Sequence, residues 1–206
     1  MSNTRTTTPR DLLITTLDHD DSQAVRTGEL SLALAAAELI DLLKAPTIRL
    51  DGGRIVPGHL TTPADPLLKE AAASFVMTEP YETIADFLWR RGRHLTERYM
   101  AALETEGVLA RRRGHLLRKK QTALVDSPPR RHAAERWDAA EPVLSTLAEN
   151  LGIRHRNATD PPDITDYAVQ SVLGAVSAAL QELEGERQRR RIEQAAFDNI
   201  WRSLDD

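Results

Sequence analysis

A mostly α-helical, single-domain bundle carrying two small β-hairpins is the fold class that the sequence predicts, and three observations predict it. Alanine and leucine are abundant while aromatics make up only 4% of the 206 residues, and Ala and Leu lose little on entering a helix. Leu30 to Leu43 is an apolar run at helical spacing. Two short segments fold over glycine-bearing turns, Asp51-Gly52-Gly53 and Arg112-Arg113-Gly114.

Residues 1–9 are polar and Thr-rich and read as a disordered tail. Residues 10–17 (RDLLITTL) form a short apolar element, helix or strand, followed by the loop DHDDSQAVRTGE. Leu30 to Lys44 is a helix with Leu32, Leu34, Ala35, Leu39 and Leu42/Leu43 on its buried stripe, ended by Pro46. TIRL-DGG-RIV is a hairpin, glycine supplying the positive φ of its turn. Thr62 caps the next helix, with Pro63 at its first position and Asp65 in its first turn, and it runs to about Met77. A short helix from Glu79-Pro80 through Trp89 and another from Arg93 to Glu106 follow, the latter stopped by Gly107. The second hairpin spans 108–125. Ser127-Pro128 opens a helix with Ala133, Trp137 and Ala140 inside, continued by Val143 to Leu151. Ile164 to Leu183 is small-residue-rich and buried. Glu184 to Leu204 is a charged amphipathic helix expected to dock through Phe197, Ile200 and Trp201, since leaving them exposed costs solubility. The expected organisation is therefore a tail at 1–9, a domain at 10–183 and a helix at 184–206.

The net charge of −4 conceals an asymmetry. Residues 87–131 hold twelve Lys/Arg against four acids, a balance of +8, which leaves −12 on the rest. A basic stripe on an acidic molecule orients it towards a polyanion; the plain alternative is a solvated face. There is no cysteine, which removes disulfides, thiolate catalysis and Cys-bearing zinc sites and fits a reducing compartment. The opening MSNTRTTTPRDLL lacks the apolar stretch of a signal peptide. The Leu30–Leu43 run is too short, and too interrupted by Glu38 and Asp41, to span a bilayer. His19 with Asp18, Asp20 and Asp21 lacks the spacing and turn glycine of a calcium loop. No GxSxG, Walker, GxGxxG or HExxH pattern occurs. No enzyme activity, cofactor or metal is expected.

Two functions use the basic segment. A winged-helix nucleic-acid binder would place helix 93–106 in the major groove with Arg93 and His94 foremost and the hairpin as its wing; Glu97, Glu104 and Glu106 oppose this by repelling phosphate. A peripheral membrane protein would gather Arg90, Arg91, Arg93 and Arg98 on a lipid phosphate, since guanidinium forks match its oxygens. Its hairpin, with Arg111, Arg112, Arg113, Leu116, Leu117 and Arg118, would meet an anionic leaflet. A third reading is a protein-interaction scaffold with no anion site.

At these residues the sequence resembles the Golgi phosphoprotein 3 family in its actinobacterial form. The likeness lies in Arg10-Asp11-Leu12-Leu13-Ile14 before an acidic turn, Leu30 to Leu43 with Glu38-Leu39, and the Ile48–Val56 hairpin. It continues in Thr62-Pro63-Ala64-Asp65-Pro66-Leu67-Leu68, in Glu97-Arg98 through Glu106-Gly107-Val108-Leu109, and in the hairpin leading to Asp126-Ser127-Pro128. It covers roughly residues 10–183. The resemblance implies a helical domain that binds phosphatidylinositol 4-phosphate as a cytoplasmic protein held peripherally on a membrane. It also implies that the 108–125 hairpin serves membrane contact or self-association. Of the family's four headgroup positions, one falls on Arg93; the others fall on Thr96, Gln23 and Leu32. Arg90, Arg91 and Arg98, with Trp89 nearby, are the expected substitutes.

Overall fold

A computed structural model describes residues 6–19, 25–59, 61–112, 121–154 and 163–202, with side chains described except at 111–112, 121–122 and 196–202. The RDLLITTL segment is a helix, α1 (Thr8–Asp18), started by Pro9 in its first turn. Residues 8 and 9 therefore belong to the fold and not to a tail: the Thr8 amide and hydroxyl donate to Asp41 at 2.8 and 2.6 Å, and both residues are buried. Thr7 likewise caps α1, its carbonyl accepting from the Asp11 amide at 3.0 Å, and residues 1–5 of the expected tail lie outside the described residues.

The Leu30 run becomes α2 (Thr27–Lys44), the central helix. Its burial is not one stripe: every residue from Leu30 to Ile40 is buried, the alanines included. A helix apolar on all sides needs neighbours on all sides, and alanine lets them approach closely. Leu43, expected inside, is only partly covered.

The turn at Gly52 and Gly53, with φ of 56° and 78°, joins β1 (Ile48–Asp51) to β2 (Arg54–Pro57). Two positive φ angles in a two-residue loop match the right-handed strand twist, and the register pairs Asp51 with Arg54. The next helix, α3 (Pro66–Ala73), starts three residues later than expected. Asp65 is the cap, accepting from the Leu67 and Leu68 amides at 2.9 and 3.0 Å, and Pro66 takes the first helical position. The sequence offers Thr-Pro and Asp-Pro in succession. Asp65 prevails because its carboxylate also receives Arg10 Nε at 2.5 Å in a buried pair.

Thr83, not Glu79-Pro80, caps α4 (Ile84–Arg91) through the Asp86 amide at 3.1 Å. α5 (Leu95–Thr105) begins after His94, which sits in the left-handed region at φ 57°. It ends as expected at Gly107 (φ 75°): the Gly107 amide reaches Glu104 O at 3.1 Å and the Val108 amide reaches Leu103 O at 2.9 Å, a Schellman closure. β3 (Leu109–Arg112) then pairs antiparallel with β4 (Gln121–Leu124). The helix expected to run on from Pro128 is broken into α6 (Pro128–Asp138) and α7 (Pro142–Asn150). Ala140 turns to φ 49°, and Pro142 has no amide to continue α6.

Conversely, Ile164–Leu183 and Glu184–Leu204 do not separate: α8 (Tyr167–Arg202) is one helix across Glu184. Its first half packs on α2 and α4 through Val169, Val172, Val176 and Leu180. From Gln188 to Ala195 every residue is exposed, Ile192 to 63%. The docking expected of Phe197, Ile200 and Trp201 falls on side chains outside those described. Eight helices and two two-stranded sheets among the described residues make the fold mostly α.

Candidate anion-binding site

Gly92 positions the joint between α4 and α5. A Cβ there would lie 2.7 Å from Leu88 O and 3.3 Å from Leu32 Cδ2, so only glycine lets this joint close on α2. The four arginines expected to meet a phosphate radiate from the joint, and the fold disposes of them differently.

Arg90 donates from Nε and Nη2 to the two oxygens of Glu82, both at 2.7 Å, and from Nη2 to Ser74 O at 3.1 Å. It also lies over the Phe87 ring, 5.6 Å from its centre. The Glu82 hydrogen bond pushes its pKa above the ordinary arginine value.

Arg91 turns inward and is 7% exposed. It forks onto Glu38 at 2.7 and 2.8 Å and donates to Leu67 O at 3.0 Å, while Tyr99 Oη donates to the same carboxylate at 3.0 Å. Burial opposes the Arg91 charge, but its bonds to Glu38 outweigh that and hold its pKa up. Burial pushes the Glu38 carboxyl above its ordinary range, against Arg91 and Tyr99. Burial likewise pushes Tyr99 well up, so its hydroxyl is the donor.

Arg98 pairs with Glu70 on the surface, and that hydrogen bond lowers the Glu70 pKa. Arg93 is exposed, with no hydrogen bond or ion pair among the described residues. The four therefore do not converge on one cradle: three hold carboxylates and Arg93 alone is free.

Two of the positions that the family resemblance points to are closed. Leu32 is 3% exposed in the core. Thr96 joins α5 to α2, its hydroxyl 2.8 Å from Ser31 Oγ and donating to Thr27 O at 3.1 Å, and its amide donates to Ser31 Oγ at 3.1 Å. Gln23 lies outside the described residues. At the hairpin, Arg111 and Arg112 stand on β3 with side chains not described, and Arg113, Leu116, Leu117 and Arg118 lie outside the described residues. Residues 108–125 contain six Lys/Arg and no acid. The root of the hairpin leaves the C-terminal end of α5, the end opposite Arg93.

The acidic loop is also accounted for as far as it is described. Asp18 accepts from Arg130 at 2.5 Å, and His19 meets Thr15 O at 2.8 Å and the edge of Trp137. Among the described residues no group of three or more potential metal ligands gathers, and no helix is long and apolar enough to cross a membrane.

Sequence reasoning did not reach the partners of the arginines. Glu82 lies eight residues from Arg90, Glu38 lies 53 from Arg91 and Glu70 lies 28 from Arg98. No helical spacing signals such pairs. A charged residue inside the apolar Leu30–Leu43 run was the one available hint.

The fold and its charge pattern define a helical domain built around a buried Ala/Leu helix, with a basic hairpin and one unpaired arginine at a helix joint. The sequence profile of the Golgi phosphoprotein 3 (GPP34) family matches residues 9–202, and the chain belongs to that family. The match includes most of α8, beyond the residue 183 at which the resemblance was expected to end. It is not a family of enzymes. No curated protein matches the chain.

Proposed function

We propose that this protein docks peripherally on an anionic, phosphoinositide-type lipid surface through the basic hairpin at 108–125 and Arg93. The observation that carries this reading is the segregation of charge. Three of the four α4–α5 arginines are matched to acids within the fold, whereas the hairpin segment has six cations and no acid. Each Lys or Arg held at an anionic leaflet contributes about 1 kcal/mol, so six supply on the order of 6 kcal/mol at most. Membership in the family supports the same reading. The nucleic-acid alternative finds less support, because the fully exposed positions of α5 are Glu97, Ala101 and Thr105, and its one cation, Arg98, is paired with Glu70.

Co-sedimentation at physiological salt tests the proposal, using vesicles of phosphatidylcholine alone, with phosphatidylserine, and with phosphatidylinositol 4-phosphate. The expected order is strongest pelleting with the phosphoinositide, weaker with phosphatidylserine and none with phosphatidylcholine. Arg93→Glu should remove the preference between the two anionic lipids. Equal pelleting with neutral and phosphoinositide vesicles would refute the reading.

A further inference from the structure

An apolar groove of about 240 Å³ opens between the β1–β2 hairpin, the 61–63 segment and α3 with the residues that follow it. One wall is Lys69, Ala72 and Ala73, on one face of α3 at spacings of three and four residues, continued past the helix end by Val76. The opposite wall is Ile48, Ile55 and Val56. Phe75, Val76 and Met77 close one end, and Val76 and Met77 stand 41% and 54% exposed. The alanines make the groove: larger residues at 72 and 73 would fill it.

The groove has a polarity. Lys69 stands one turn before Ala73, about 6 Å at the helical rise, and the exposed Val76 and Met77 follow beyond the end of α3, so a cation marks one part of the groove and bare apolar surface another. The Lys69 amine has no ion-pair or hydrogen-bond partner among the described residues. The adjoining open concavity, which shares Val56 and Pro57, balances Arg49 and Arg54 against Asp51 and Glu79. It adds no net charge, so Lys69 sets the preference. The volume falls below the roughly 300–1,000 Å³ that encloses a drug-sized ligand. It suits one short aliphatic chain.

We infer that this groove binds a single-chain aliphatic carboxylate, its chain along Ala72, Ala73 and Val76 and its carboxylate on Lys69. A carboxylate held beside an ammonium gains a charge-assisted bond, and the chain covers apolar surface that the fold leaves open. Nothing in this inference depends on surface binding through Arg93 or the hairpin, which lie on other elements.

The test is calorimetric titration of the full chain with octanoate and, separately, with octanol. Octanoate is expected to bind saturably, one per chain, and octanol several-fold more weakly. Lys69→Glu should weaken octanoate at least fivefold and leave octanol unchanged. Val76→Asp and Ala73→Phe should weaken both more than tenfold; both positions are exposed, and unchanged melting curves verify the fold. Should one of the two fail to fold, the other and Lys69→Glu carry the test. Arg93→Glu should leave octanoate and octanol binding unchanged. The inference is overturned if octanoate shows no saturable binding, if the groove variants bind as the parent does, if octanol matches octanoate in the parent, or if Arg93→Glu abolishes binding.

Discussion

Replacing Arg91 by methionine isolates what the α4–α5 joint contributes to stability. The substitution keeps an unbranched side chain of about the length of the arginine stem and removes a guanidinium that makes three hydrogen bonds, two to Glu38 and one to Leu67 O. Glu38 is 0% exposed, so its carboxylate keeps only Tyr99. Breaking a buried pair from one side costs about 3–5 kcal/mol. For a chain of this size each kcal/mol moves Tm by about 2–4 °C, which gives a fall of about 6–20 °C in a thermal melt followed by far-UV circular dichroism. Replacing the whole cluster with Glu38→Leu, Arg91→Met and Tyr99→Phe strands only the Leu67 carbonyl, a loss of about 1–3 kcal/mol. The triple variant should therefore melt above the single one. The sign of the pH dependence follows from Glu38. Burial already raises its folded pKa, and loss of Arg91 raises it further. A raised acid pKa means that the folded state holds the proton more tightly than the unfolded one. The deficit of Arg91→Met is then full above the folded pKa and shrinks as pH falls through it. The Tm gap from the parent should narrow between pH 8 and pH 5. A loss below about 1 kcal/mol, or a triple variant no better than the single one, would refute the reasoning.

Asp65 joins a helix cap to a buried pair, so Asp65→Asn should keep the cap and lose the charge facing Arg10, while Asp65→Ala loses both. The alanine variant should be the less stable by about 0.5–2 kcal/mol in urea denaturation. Gly107→Ala meets no steric contact but must hold φ near 75°, and should cost about 1–2 kcal/mol by the same assay. Reversing Arg111, Arg112 and Arg113 to Glu should abolish pelleting with phosphatidylserine vesicles and flatten the salt dependence, because exposed charges are screened beyond about 8 Å at physiological ionic strength.

The elements that were legible in the sequence are those specified within a few residues. The Gly52-Gly53 turn needs positive φ and nothing distant, and Gly107 stops α5 by local closure alone. The α3 start was misplaced because two capping sequences compete there and the choice is made by Arg10, 55 residues away. The α6–α7 break was missed because the apolar pattern runs on past Ala140, although Pro142 forbids the helix to do so. At the candidate site the sequence shows how many arginines there are but not which are engaged. Arg90, Arg91, Arg93 and Arg98 look alike as a basic cluster. For Arg91 the answer depends on Gly92 closing the joint on α2, which brings Glu38 under it, while Arg90 and Arg98 find Glu82 before α4 and Glu70 on α3.

That engagement ranks the arginines by what a lipid phosphate would have to displace. Arg93 has nothing to give up. Arg98 would release Glu70, an exposed pair of a kind that contributes about 0–1 kcal/mol. Arg90 would give up a two-pronged contact with Glu82 and the Ser74 carbonyl, and Arg91 would leave a carboxylate uncompensated in the core. Recruitment should therefore follow the order Arg93, Arg98, Arg90, Arg91. Alanine variants separate recruitment from folding when vesicle binding and melting are measured on the same preparations. Arg93→Ala should lower phosphoinositide binding with Tm unchanged, Arg98→Ala should lower it less, and Arg91→Ala should lower Tm first. If Arg91→Ala impaired binding while Tm held, the inward-facing Arg91 would be able to swing out to lipid. The buried pair would then be a latch and not a strut.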